Sequence, residues 1–179
     1  MIMKSVFFIL IISFSKVFLP AQDDSVIDWK AGQKLVWDDF KRPADPSSPN
    51  AALTGTIIRY DFGYNSVEGL KFHIHCQFNK NASWGRIKTD YILTHEQGHF
   101  DIAEIFARKL DKAFAEYKPS DNIKKDLNKL YLDIMHQYQE RQTQYDQETN
   151  NSINKPEQEK WLKKISDELK DLQDYANYN

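Results

Sequence analysis

The chain has 179 residues, with 24 Lys and Arg against 26 Asp and Glu for a formal charge of −2, and a single cysteine, Cys76. That length suits one domain with a sizeable core. The near-neutral balance offers no basic face of the kind nucleic acid calls for, and one cysteine excludes an internal disulfide.

The opening MIMKSVFFILIISFSKVFLPAQ reads as a signal peptide over residues 1–21. Lys4 supplies the positive start, and Val6 to Phe14 is an apolar run too short to span a bilayer comfortably. Leu19-Pro20-Ala21 is a small-residue cleavage signal, so the mature chain is expected to begin at Gln22. Residues 22–179 are then one exported domain, periplasmic or secreted, with no membrane attachment after cleavage. Losing Lys4 and Lys16 reduces the 24 basic side chains to 22 against 26 acidic ones, a formal −4.

The first half of the mature chain reads as strands and loops. VIDWKAGQKLVWDDF offers Trp29, Leu35, Val36, Trp37 and Phe40 as core residues, and KRPADPSSPN is a loop rich in turn formers. LTGTIIRYDFGY is β-branched and aromatic, a strand. EGLKFHIHCQF alternates, with Leu70, Phe72, Ile74, Cys76 and Phe78 facing one way and His73 and His75 the other. NKNASWG is a turn.

The second half is helical. One helix is expected over about 89–117, and Pro119 ends it. Ser120 or Asp121 can cap a second, which runs to about Glu148 with Ile123, Leu127, Leu130, Ile134, Tyr138 and Tyr145 on one face. A third starts at Asn154 or Lys155 before Pro156 and carries Trp161, Leu162, Ile165, Leu169 and Leu172. A small antiparallel sheet followed by three helices makes an α+β domain.

The first helix contains THEQGH. A step of four residues turns about 400°, so His95 and His99 share a face one turn apart and suit zinc. Glu96 lies about 100° further round, beside such an ion, where it can act as general base. Zinc would lower the pKa of a water to about 7 and polarise a peptide carbonyl. A lone helical histidine is more often structural, but this spacing with Glu between is a stronger signal.

The third ligand is not evident from spacing. Asp101 points about 200° away from His99, and Glu104 about 140° away, where it is better placed to pair with Arg108. Mirroring the two helices about Pro119 puts Glu140 opposite Gly98, with His136 nearby. His73 and His75 share one strand face and could chelate, though a polar exposed face is the simpler reading.

HEQGHFDIAEIFARKL resembles the centre of the bacterial domain of unknown function 922 family, predicted secreted zinc-dependent peptidases. LVWDDFKRP with AALTGTIIRY, ASW, YDQET and NKPEQEKW resemble its other landmarks, over residues 29 to 165. The resemblance implies a zincin-like peptidase fold acting on a peptide or protein substrate. The family's tail pattern is similar to YDxETxHS or YDxETxHG, whereas this chain has YDQETNNS. Asn151 therefore stands where the family has His, the natural third ligand, and Asn is a poor zinc ligand. Glu148 or Asp146, in the same stretch, could complete the set if the helix end bends, Glu148 giving a His₂Glu site. The expected function is zinc-dependent peptide hydrolysis with His95, His99 and Glu148 on the ion and Glu96 as base. The alternative is a catalytically impaired relative, disabled at Asn151, that binds a partner in the envelope.

Overall fold

The computed structural model describes residues 24–176; the expected signal peptide at 1–21 and the expected new terminus at Gln22 lie outside them. In chain order the strands are β1 (Val26–Asp28), β2 (Ala52–Leu53), β3 (Thr56–Asn65), β4 (Gly69–Asn79) and β5 (Trp84–Gly85). The helices are α1 (Asp90–Ala115), α2 (Ile123–Thr149) and α3 (Lys155–Asp171). The architecture is α+β, as the residue pattern indicates. None of the described helices is long and apolar enough to cross a membrane.

Strands β1, β4 and β3 form one antiparallel sheet in that order, and β2 pairs with β5 separately. β3 and β4 are a hairpin in register from Thr56↔Phe78 to Asn65↔Gly69. The alternation in β4 turns Ile74, Cys76 and Phe78 into the core, each with no exposed surface. His73 and His75 lie on the outer face, where His75 bonds Asp61 on β3 at 2.9 Å.

Helix α1 lies against the inner face of this sheet, with α2 and α3 packed on its other sides. A helix covered on several sides must bury residues round most of its circumference, and α1 does. Phe100, Ile102, Ala103, Ile105, Phe106, Ala107, Leu110 and Phe114 are buried with it. So are polar residues, each of which has a partner. Asp101 accepts from the Trp29 indole and from Gln97, both at 2.8 Å, and Gln97 accepts from the Leu35 amide at 2.9 Å. These bonds clip the β1–β2 connection onto the back of α1. The expected Glu104–Arg108 pair forms at 2.8 Å, and Arg108 also donates to the Leu169 carbonyl, tying α3 to α1.

The ends of the helices carry local signals. Thr89 caps α1 by accepting from Ile92, and Asn154 caps α3 by accepting from Glu157. The cap of α2 differs from expectation. Asn122 occupies the position without a side-chain bond, while Ser120 accepts from the Asn122 amide and donates to Asp126. Val36, expected in the core, is 54% exposed, because the short helical turn at Trp37–Asp39 turns it outward.

α1 and α2 approach closely at Gly98. A Cβ added there would lie 2.4 Å from the Tyr145 hydroxyl and 2.9 Å from its ring. Mirroring about Pro119 had placed Glu140 there. Side chains lean toward the N-terminus of their own helix. On antiparallel helices, the residues that meet α1's first half therefore come from further along α2 than simple mirroring gives. Glu140 and His136 instead form an exposed pair at 3.5 Å.

Gly98→Ala tests this approach. Alanine favours helix by about 1 kcal/mol, but overpacking a filled site costs about 1–3 kcal/mol. Tyr145 is fully buried and cannot swing aside freely. The variant is expected to show a lower denaturation midpoint; an unchanged or higher midpoint would mean that the helices do not meet there.

Candidate metal centre

The site is built on two helical stripes. His95 and His99 are one turn apart on α1, and Tyr138, Gln142 and Asp146 follow at intervals of four on α2. The Gly98–Tyr145 contact brings the stripes together. The Nε2 atoms of His95 and His99 are 3.2 Å apart, and Asp146 Oδ1 lies 3.2 Å from the first and 3.0 Å from the second. His95 stacks on Tyr145 with ring centroids 4.5 Å apart. Both histidines are largely buried, and Asp146 is half-exposed.

This donor set fits a small divalent ion. Ligand atoms about 2.0–2.1 Å from a tetrahedral zinc lie about 3.3 Å from one another. The observed triangle is close to one face of that tetrahedron, and its chemistry, two imidazoles and a carboxylate, is that of zinc sites. Two ring nitrogens and a carboxylate oxygen packed this tightly are well placed to share a cation. Among the described residues, His95, His99 and Asp146 are the group that could hold a metal ion.

Without a metal, a proton can serve as that cation. Burial works against charge on His99, but the Asp146 bond, the Glu96 charge and the Gln142 bond outweigh it and raise the ring to about 8. Burial likewise opposes the Asp146 carboxylate, yet the bonds from His95 and His99 outweigh it and hold the group well below the usual carboxylate range.

Glu148, expected as third ligand, does not face the histidines. It lies two residues beyond Asp146, about 200° round the helix. α2 does not bend there; it runs regularly to Thr149. Glu148 instead accepts from the Trp161 indole on α3 at 2.8 Å and from Gln144 at 2.8 Å. Asp146, its neighbour in the same stretch, is the carboxylate that meets the pair. The stripe of Tyr138, Gln142 and Asp146 was the signal that could have separated the two.

Glu96 lies beside the triangle and is 4% exposed. Thr54, just after β2, donates to Glu96 Oε2 at 2.7 Å and orients it. The group opens into a cleft of about 390 Å³. Residues 50–54 form one wall and Tyr138, Gln139, Gln142 and Thr143 the other. Asn151 also lines it. Asn150, Asn151 and Ser152 all adopt left-handed backbone, with φ of 49°, 49° and 73°. Asparagine tolerates this conformation better than most residues. The reversal is tied down by the Asn151 amide on the Asp146 carbonyl and the Asn154 amide on the Thr149 carbonyl, both at 2.8 Å.

Residues 76–152 match the model of a family described as bacterial protein of unknown function (DUF922). Over that stretch the chain is similar to the DUF922 family. The DUF922 region is narrower than residues 29–165, on which the sequence resemblance rests. It runs from the end of β4 to Ser152 and holds His95, Glu96, His99, Gln142, Asp146 and Asn151; the wall at residues 50–54 lies outside it. No curated protein and no solved structure matches the chain.

The charges give a pH test on the metal-free chain. His99 is raised in the folded state, so its contribution is fully present below 6.5 and lost as pH rises through about 8. Asp146 is lowered, so its contribution is lost in acid. In the presence of chelator, stability is expected to fall by about 2 kcal/mol as pH rises through that window. His99→Gln should flatten that part of the profile. An equal slope in the variant would place the effect elsewhere.

Proposed function

We propose that this chain is an exported, zinc-dependent hydrolase of peptide bonds, zincin-like in its chemistry. The convergence of His95 Nε2, His99 Nε2 and Asp146 Oδ1 beside Glu96 in an open cleft carries the reading. Zinc held by those three atoms supplies Lewis acidity, activating water near neutral pH and polarising a carbonyl. Glu96, aimed by Thr54, takes the proton from the attacking water and returns it to the leaving amine. The wall at residues 50–54 includes β2, and an extended peptide could lie along it. Export rests on the leader expected at residues 1–21.

The alternative, an impaired relative that binds a partner, drew its support from Asn151 as a lost third ligand. Asp146 offers a third donor atom beside His95 and His99, so an asparagine at 151 does not by itself argue for a dead site.

Zinc measured on the purified protein is expected at one per chain. It should be lost in His99→Ala and Asp146→Ala and kept in Glu148→Gln. Zinc retained in Asp146→Ala but lost in Glu148→Gln would overturn the ligand assignment.

Glu96→Gln should keep the metal and reduce cleavage of an unfolded protein substrate at least about 100-fold. A variant that still cleaves would remove Glu96 from the role of base.

A further inference from the structure

The two histidines are held in different ways. His95 Nδ1 is buried and has no protein partner, and the ring is held by stacking on Tyr145. His99 Nδ1 lies 2.6 Å from Gln142 Oε1. The orientation of the Gln142 amide is determined by its other end. Its nitrogen lies 2.9 Å from the His99 backbone carbonyl and 2.9 Å from the Tyr138 hydroxyl. A carbonyl can only accept, so the amide nitrogen must face it. The oxygen must then face His99 Nδ1, which therefore carries a hydrogen. A neutral His99 consequently presents the lone pair of Nε2 to the cleft side, toward Asp146 and His95.

The Tyr138 hydroxyl, in turn, is 2.5 Å from Thr56 Oγ1 at the start of β3. The Gln142 amide nitrogen is thus braced twice, by the α1 backbone and, through Tyr138, by the edge of the sheet. A competing pull exists: Asp146 lies 3.0 Å from Nε2 and would accept a hydrogen from it. The Gln142 contact is shorter by 0.4 Å, from 2.6 to 3.0 Å. His95 Nε2, 3.2 Å from the same carboxylate oxygen, can donate to Asp146 in its place.

We infer that Gln142 is a positioning residue that sets the tautomer of His99, through the chain Thr56–Tyr138–Gln142–His99, so that Nε2 is free to ligate. Its effect on metal affinity rests on the function proposed above; the tautomer does not. The other nitrogen of a ligating imidazole is almost always engaged by an acceptor, as His99 Nδ1 is and His95 Nδ1 is not, and loss of such a partner weakens metal binding about 10–100-fold. Gln142 acts through His99 and is not itself a ligand.

Two measurements on the full protein test this. The first is ¹⁵N–¹H correlation of the imidazoles in the metal-free protein, at a pH of about 9.5, alkaline enough to leave the ring neutral. His99 is expected to carry its hydrogen on Nδ1, and Gln142→Leu should move it to Nε2, toward Asp146. Gln142→Glu, which keeps an oxygen at Nδ1 although its second oxygen loses the bond to the His99 carbonyl, should retain the native tautomer. The second is zinc affinity by competition with a chelator. Gln142→Leu should weaken it about 10–100-fold, with Gln142→Glu well above the leucine variant. Hydrogen on Nε2 in the unaltered protein, or the same tautomer in all three proteins, would overturn the inference. Equal losses of zinc affinity in both variants would overturn the effect on metal affinity, since a packing role alone predicts that result. If the unaltered protein binds no zinc, the proposed function fails, while the first measurement still decides the tautomer.

Discussion

The contact between Gly98 and Tyr145 sets the distance between α1 and α2, and the site depends on that distance. Only a residue without a side chain lets the Tyr145 ring come so close to the α1 backbone. Once seated, the ring stacks on His95, meets His99 edge-on and packs against Trp161 of α3. Tyr145 thus fixes the register in which Asp146 meets the histidines and Gln142 meets His99. The helices themselves supply the rest, since residues at intervals of four share a face.

A second constraint is the burial of α1. A helix enclosed by a sheet and two other helices has few exposed positions for polar side chains, so each buried one needs a partner. On the side away from the cleft, Asp101, Gln97, Glu104 and Arg108 spend their bonds joining α1 to Trp29, Leu35 and α3. On the cleft side, His95, His99 and Glu96 are directed toward Asp146, Gln142 and Thr54. The same helix therefore anchors the core with one face and presents chemistry with the other. Cys76 belongs to the first group: burial, with Glu104 nearby, pushes its thiol well up and leaves it a small apolar residue.

Much of this organisation was legible in the chain. The alternation of Leu70 to Phe78 has the period of a half-buried strand, and β4 follows it. The placing of His95, Glu96 and His99 on one helix followed from their spacing, as did the Glu104–Arg108 pair. The start of α3 at Asn154 and the end of α2 near Glu148 are short-range matters of hydrogen bonding. Local sequence carries such features because the groups involved lie within four residues of one another.

What the sequence by itself determined was which residues share a face of each element. What only the tertiary structure decided was which faces meet, and at what register. Asp146 and Glu148 are two residues apart in one stretch, both carboxylates, and only the angle at which α2 lies on α1 turns the first toward the histidines and the second toward Trp161. The offset that brings Gln142 and Tyr145, and not Glu140, opposite Gly98 and His99 comes from the lean of side chains on antiparallel helices and from the fit of one ring over one glycine. The contacts between α1 and α2 join residues more than 40 positions apart, and no local pattern of charge or hydropathy encodes them.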